Sequence, residues 1–121
     1  LFYQGKVDES ITILKEVLDK NAKMAGIRPI LGVFLAFQGK RDEALAQLSD
    51  ETKGLAKSDH DMSYWMAQAY SVLGETDESF KWLERAIKLG NENKQWFEKD
   101  ICLKNIRQNP RFRELMDKIE H

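Results

Sequence analysis

The side chains best suited to chemistry in this chain are few and poorly grouped. His60 stands in Ser58-Asp59-His60-Asp61, an imidazole among carboxylates that has the makings of an acid/base pair or a metal site. A metal needs several converging ligands, and the other histidine, His121, is at the far end of the sequence. Ser58 followed three residues on by Asp61 also forms the Asp variant of a helix-start capping box, and this structural role is the one predicted. Cys102 lacks a CxxC partner; Lys104 would lower its pKa, but a lone cysteine in this setting reads as a core thiol. The glycines are dispersed instead of clustered before a helix, which excludes a phosphate loop. No nucleophile-base pair emerges, so the sequence predicts no enzyme, no catalytic residue, no cofactor and no metal.

Arg107, Arg111, Arg113 and Lys118 surround Phe112, a pattern that invites a nucleic-acid reading. Glu114, Asp117 and Glu120 dilute it, and the formal net charge of the chain is -1. A solvated helix face, with one arginine pinning a loop, is the expectation, with neither nucleic acid nor membrane as partner. The imbalance between halves is mild: residues 1–79 carry 9 basic and 13 acidic side chains, residues 80–121 carry 10 and 7.

These residues need elements to hold them, and the composition favours helices. At 121 residues the chain suits one domain or a short stack of repeats. Hydrophobic residues at 42% and charged residues at 32% supply enough apolar surface to offset ordering entropy. Proline occurs only at Pro29 and Pro110, while helix formers abound. No apolar run approaches the roughly 18 residues of a membrane span. The single cysteine fits a reducing compartment, and a cytoplasmic location is expected.

Self-similarity is the strongest signal. Gly5-Lys6-Val7-Asp8-Glu9-Ser10, Gly39-Lys40-Arg41-Asp42-Glu43-Ala44 and Gly74-Glu75-Thr76-Asp77-Glu78-Ser79 place glycines 34 and 35 residues apart. Each block reads as the turn of a helical hairpin: Gly permits the backbone conformation just past a helix end, and the acidic pair favours the start of the next helix. Apolar residues at helical spacing lie on both sides, such as Ile27, Ile30, Leu31 and Phe34 before the second glycine, and Phe80, Leu83 and Ile87 after the third. Ser10, Ala44 and Ser79 are small where two helices of a hairpin would approach closely.

This arrangement resembles the tetratricopeptide-repeat (TPR) family. The family's first-helix pattern fits Leu31, Gly32 and Leu35, then Met66, Ala67 and Tyr70; its second-helix pattern fits Ser79, Leu83 and Ala86. The resemblance implies an all-α superhelix of antiparallel hairpins forming a single TPR domain over 1–121: a partial repeat (1–22), two repeats (23–57 and 58–91) and a degenerate capping hairpin (92–121). Departures include Glu51 in place of a small residue and, with the insertion between Glu51 and Ser58, predict a short or irregular last helix in the second repeat. The segment around Asn109-Pro110-Arg111-Phe112 resembles one that closes TPR arrays in microbial signalling and regulatory proteins, implying the C-terminal module of a larger protein. Asn109 is expected to cap a helix that Pro110 begins.

Leu1 to Gln4 would be the last turn of an earlier helix, leaving the helix from about Val7 to Lys20 with an uncovered apolar flank. The rival function is therefore self-association, a homodimer through this incomplete N-terminal hairpin. The leading function implied by the resemblance is a scaffold that binds a partner protein or peptide in the concave groove. Ile30, Val33, Phe37, Tyr64, Trp65 and Gln68 are the expected contacts, with Tyr64 and Trp65 as anchors. The basic and Asn side chains of a carboxylate clamp are missing from these positions.

Overall fold

A computed structural model describes residues 4–21, 26–91 and 93–119. Regular structure among them is all helical: α1 (Gln4–Lys20), α2 (Arg28–Phe37), α3 (Arg41–Gln47), α4 (Asp50–Ala56), α5 (His60–Val72), α6 (Thr76–Lys88), α7 (Lys94–Lys99) and α8 (Pro110–Ile119), with a 3-10 turn at Ile101–Leu103. None of these helices is long and apolar enough to cross a membrane.

Helices α2 and α5 end in the same way because glycine can take a left-handed conformation that other residues resist. Gly39 and Gly74 have φ of 75° and 79°. The Gly39 N–H donates to the Ala36 carbonyl and the Lys40 N–H to Leu35, each at 3.0 Å; Gly74 donates to Ser71 at 3.0 Å and Glu75 to Tyr70 at 2.9 Å. These paired bonds fill carbonyls that a helix end would otherwise leave open, and they turn the chain back so that α2 packs on α3 and α5 on α6. Gly90 closes α6 likewise, at φ 115°. Gly5 departs from the predicted pattern: it lies inside α1, so no turn separates Gln4 from Val7. Leu1 to Tyr3, the rest of the anticipated earlier helix, lie outside the described residues.

The helix start near His60 also differs from expectation. Asp59, not Ser58, caps α5, accepting from the N–H groups of Asp61 at 2.9 Å and Met62 at 3.1 Å. Its extended backbone, φ -125° and ψ 114°, places the carboxylate under the first-turn amides. The predicted irregularity in the second unit is a break between α3 and α4, where Ser49 caps the new helix by accepting from Thr52 N–H at 3.3 Å. Asn109 meets expectation, accepting from Arg111 N–H at 3.0 Å at the start of α8.

Among the described residues, two apolar clusters form the core. Val7 and Ile11 of α1 meet Leu31 and Leu35 of α2 and Ala44 of α3 in the smaller one. The larger runs from Val33 and Leu48 through α5 and α6 to Phe97, Leu103, Ile106, Phe112, Leu115 and Met116, while Val72 and Leu73 touch both. Small residues set the helix spacing. A Cβ on Gly32 would come within 3.1 Å of the Leu48 side chain, and Ser79, fully buried, donates its hydroxyl to the Ala67 carbonyl at 2.7 Å. Between hairpins, Arg41 reaches Glu75 and the Leu73 carbonyl, and Arg111 reaches Asp77 at 2.8 Å. Such exposed pairs are worth at most about 1 kcal/mol each, so packing carries the stability.

Candidate partner-binding face

On α2, Ile30, Val33 and Phe37 are spaced as one helical stripe. Val33 is 4% exposed and belongs to the same cluster as the α5 side chains, so the stripe faces α5. Ile30 and Phe37 remain partly exposed beside it. On α5, Asp61, Trp65, Gln68 and Val72 form the matching stripe: Asp61 is exposed and the other three are partly buried. Helices α2 and α5 pack directly on one another, so the two stripes lie on neighbouring helices.

The six residues expected to contact a partner therefore divide. Ile30, Phe37 and Trp65 keep apolar surface in reach of solvent, though Phe37 and Trp65 also pack on the core. Val33 lies within that core. Tyr64, the expected anchor, is only 5% exposed and is covered by the chain's own C-terminal segment. Its ring lies against Phe97, centroids 5.1 Å apart and planes tilted by 31°, a contact suited to aromatic edges and faces. Its hydroxyl donates to Asp100. Gln68 donates to the same carboxylate at 2.7 Å, so both of its neighbours on α5 serve to dock the cap.

Asp100 is the residue that sequence reading passed over. At 2% exposure it joins α5 to the cap, taking Tyr64 and Gln68 on one oxygen and the Cys102 N–H on the other at 2.9 Å. A buried carboxylate needs such donors because desolvation alone would be prohibitive. Burial pushes the Tyr64 hydroxyl well above its ordinary pKa, with Asp100 reinforcing the shift. Burial raises the Cys102 thiol in the same way, with Asp100 again adding to it. Both stay protonated near neutrality, so Cys102 offers no thiolate nucleophile. The Glu98 carbonyl accepts from Arg107 at 2.5 Å and Ser71 from Asn105 at 2.8 Å, further fixing the cap.

No family model, curated protein or solved structure matches this chain. The geometry alone must then indicate what the molecule does.

Elsewhere, His60 is exposed and sits 3.2 Å from its neighbour Asp61. Among the described residues, no group of three or more His, Cys, Asp or Glu side chains is placed to hold a metal ion. Trp96 and Ile101 are half exposed at 51% and 52%, while Phe97 and Leu103 fill the core. Their short helix and 3-10 turn have only one inward face. On α1, Ile13 is 56% exposed, next to partly buried Leu14, Val17 and Leu18.

Proposed function

We propose that this protein is a TPR-like interaction module, without catalytic activity of its own, that binds an amphipathic helix or extended apolar peptide of a partner protein along the α2/α5 face. The reading rests on the two neighbouring stripes whose apolar members, Ile30, Phe37 and Trp65, stay partly exposed. It is supported by the glycine-ended hairpins whose turns, at Gly39 and Gly74, lie 35 residues apart, the geometry that a solenoid uses to bring its first helices side by side. Val33 shapes the floor. Tyr64 and Gln68 act indirectly, by fixing the cap that closes one end of the face.

Peptides selected by display against the purified protein supply the probe. Trp65→Ala combined with Ile30→Asp is expected to weaken the selected peptides at least about tenfold, the loss of a typical hot spot, with helical circular dichroism unchanged. Equal affinity for the variant and the parent would defeat the reading.

A further inference from the structure

A different part of the molecule carries a second binding site. A cleft of about 500 Å³ lies between α4, α6 and α8, a size usual for ligand pockets. Lys53, Lys57, Lys81, Arg85, Lys88 and Lys118 line it, against a single carboxylate among the described residues, Glu84. Among the described residues, Lys57, Arg85, Lys88 and Lys118 have no ion-pair partner. Arg111 also borders the cleft, but Asp77 holds it.

Part of this charge has a local explanation. Lys53 stands in the last turn of α4, Arg85 and Lys88 in that of α6, and Lys118 in that of α8, where cations oppose the helix dipole. That accounts for each helix singly, but not for three such ends converging on one concavity, where their cations repel one another. A second observation concerns the wall. Trp82 is 3% exposed and lines the cleft, and its indole N–H has no acceptor among the described residues. Buried donors without partners are rare in native structures. Lys81, an exposed side chain, holds its ammonium 5.9 Å from the centre of the Trp82 ring.

The geometry points to a site for a short acidic peptide segment of a partner protein, bound between α4, α6 and α8 with its carboxylates on Lys57, Arg85, Lys88 and Lys118. The ligand supplies the acceptor that Trp82 lacks when Lys81 swings aside, and an apolar side chain rests on Ile87 and Leu115, both in the cleft wall. Two features favour carboxylates over phosphates. Helix C-terminal ends present carbonyls, not the N–H groups that cradle phosphate. The cleft also continues into a smaller recess of about 190 Å³ bearing Glu84 and Glu114, which repels a uniformly charged nucleic-acid backbone but accepts peptide N–H groups. The site is separate from the α2/α5 face and does not depend on its assignment.

Fluorescence anisotropy tests it with a short synthetic peptide in which glutamates flank a central Leu-Phe pair, beside a counterpart carrying glutamines. The acidic peptide is expected to bind, more weakly as salt rises, and the glutamine peptide at least about tenfold more weakly. Arg85→Glu with Lys118→Glu, both exposed positions, is expected to reduce affinity by a similar factor. Lys6→Glu with Lys20→Glu changes the net charge equally on α1 and is expected to leave affinity within about twofold. Trp82→Phe, which keeps a ring but removes the N–H, is expected to weaken binding about fivefold, with circular dichroism confirming the fold. The proposal is overturned if the acidic peptide fails to bind, if the glutamine peptide binds equally, or if the α1 reversals weaken binding as much as the cleft reversals. Tighter binding of polyphosphate or a single-stranded oligonucleotide would make it a phosphate site instead. Loss of binding in Trp65→Ala would place the peptide on the α2/α5 face and overturn it too.

Discussion

A carboxylate withdrawn from water is stable only when donors fill its lone pairs, and Asp100 obtains them from a phenol, an amide side chain and a backbone N–H. The arrangement has a consequence at high pH. Tyr64 and Cys102 both have pKa values raised on folding, by burial first. The folded state therefore keeps protons that the unfolded chain releases. Their stabilisation is complete below the ordinary values, 9.0 for the thiol and 10.0 for the phenol, and is lost as pH rises above them. The limiting slope is about 1.4 kcal/mol per pH unit for each group. Urea unfolding from pH 8 to 11 is expected to show this decline, and Tyr64→Phe to make it shallower above pH 10. An identical slope in the variant would refute the assignment. Sequence alone marked Tyr64 as a surface anchor, because its helical stripe is the same whether a ligand or the chain's own cap covers it. Asp100 carried no signal, because after Glu98 and Lys99 it reads as one more solvated charge.

At the scale of elements, the turns were the most legible feature. Glycine at a positive φ is dictated locally, by a backbone clash that any Cβ would incur, so a repeated glycine announces a repeated turn. Gly74→Ala is expected to destabilise by about 1 kcal/mol or more from conformational strain alone, since no neighbour lies within 4 Å of the added methyl. Gly54 is the useful contrast: it lies within α4, exposed, with equally open space around it. Gly54→Ala is therefore expected to stabilise by about 0.5–1 kcal/mol through helix propensity. Thermal melts of the pair check both signs, and a stabilising Gly74→Ala would contradict the turn geometry. Gly5 shows the limit of the signal, because the same glycine block is compatible with a continuing helix when nothing requires the chain to reverse. The choice of Asp59 over Ser58 as cap is of the same kind: both are good caps, and where α4 hands the chain over decides between them.

Over the whole molecule, the cap is part of the core. Phe97, Leu103, Ile106, Phe112, Leu115 and Met116 are buried in the same cluster as the α5 and α6 side chains. At about 1.5–3 kcal/mol for each buried side chain, their loss would be comparable to the usual 5–15 kcal/mol of net stability. A chain ending at Asn91 is expected to lose cooperative thermal unfolding and to bind a hydrophobic dye such as ANS. A sharp, unshifted melt would show that the hairpins stand without the cap.

The sequence by itself determined the helical class, the turns at Gly39 and Gly74, the break in the second unit and the start of α8 at Asn109-Pro110. Each follows from interactions within a few residues, where backbone sterics, caps and periodicity act. Only the tertiary structure decided that the C-terminal segment covers Tyr64, that Asp100 gathers Tyr64, Gln68 and Cys102, and that the cationic ends of α4, α6 and α8 meet in one cleft. Those residues lie far apart along the chain. Packing brings them together, and no local pattern encodes which exposed-looking face another segment will fill.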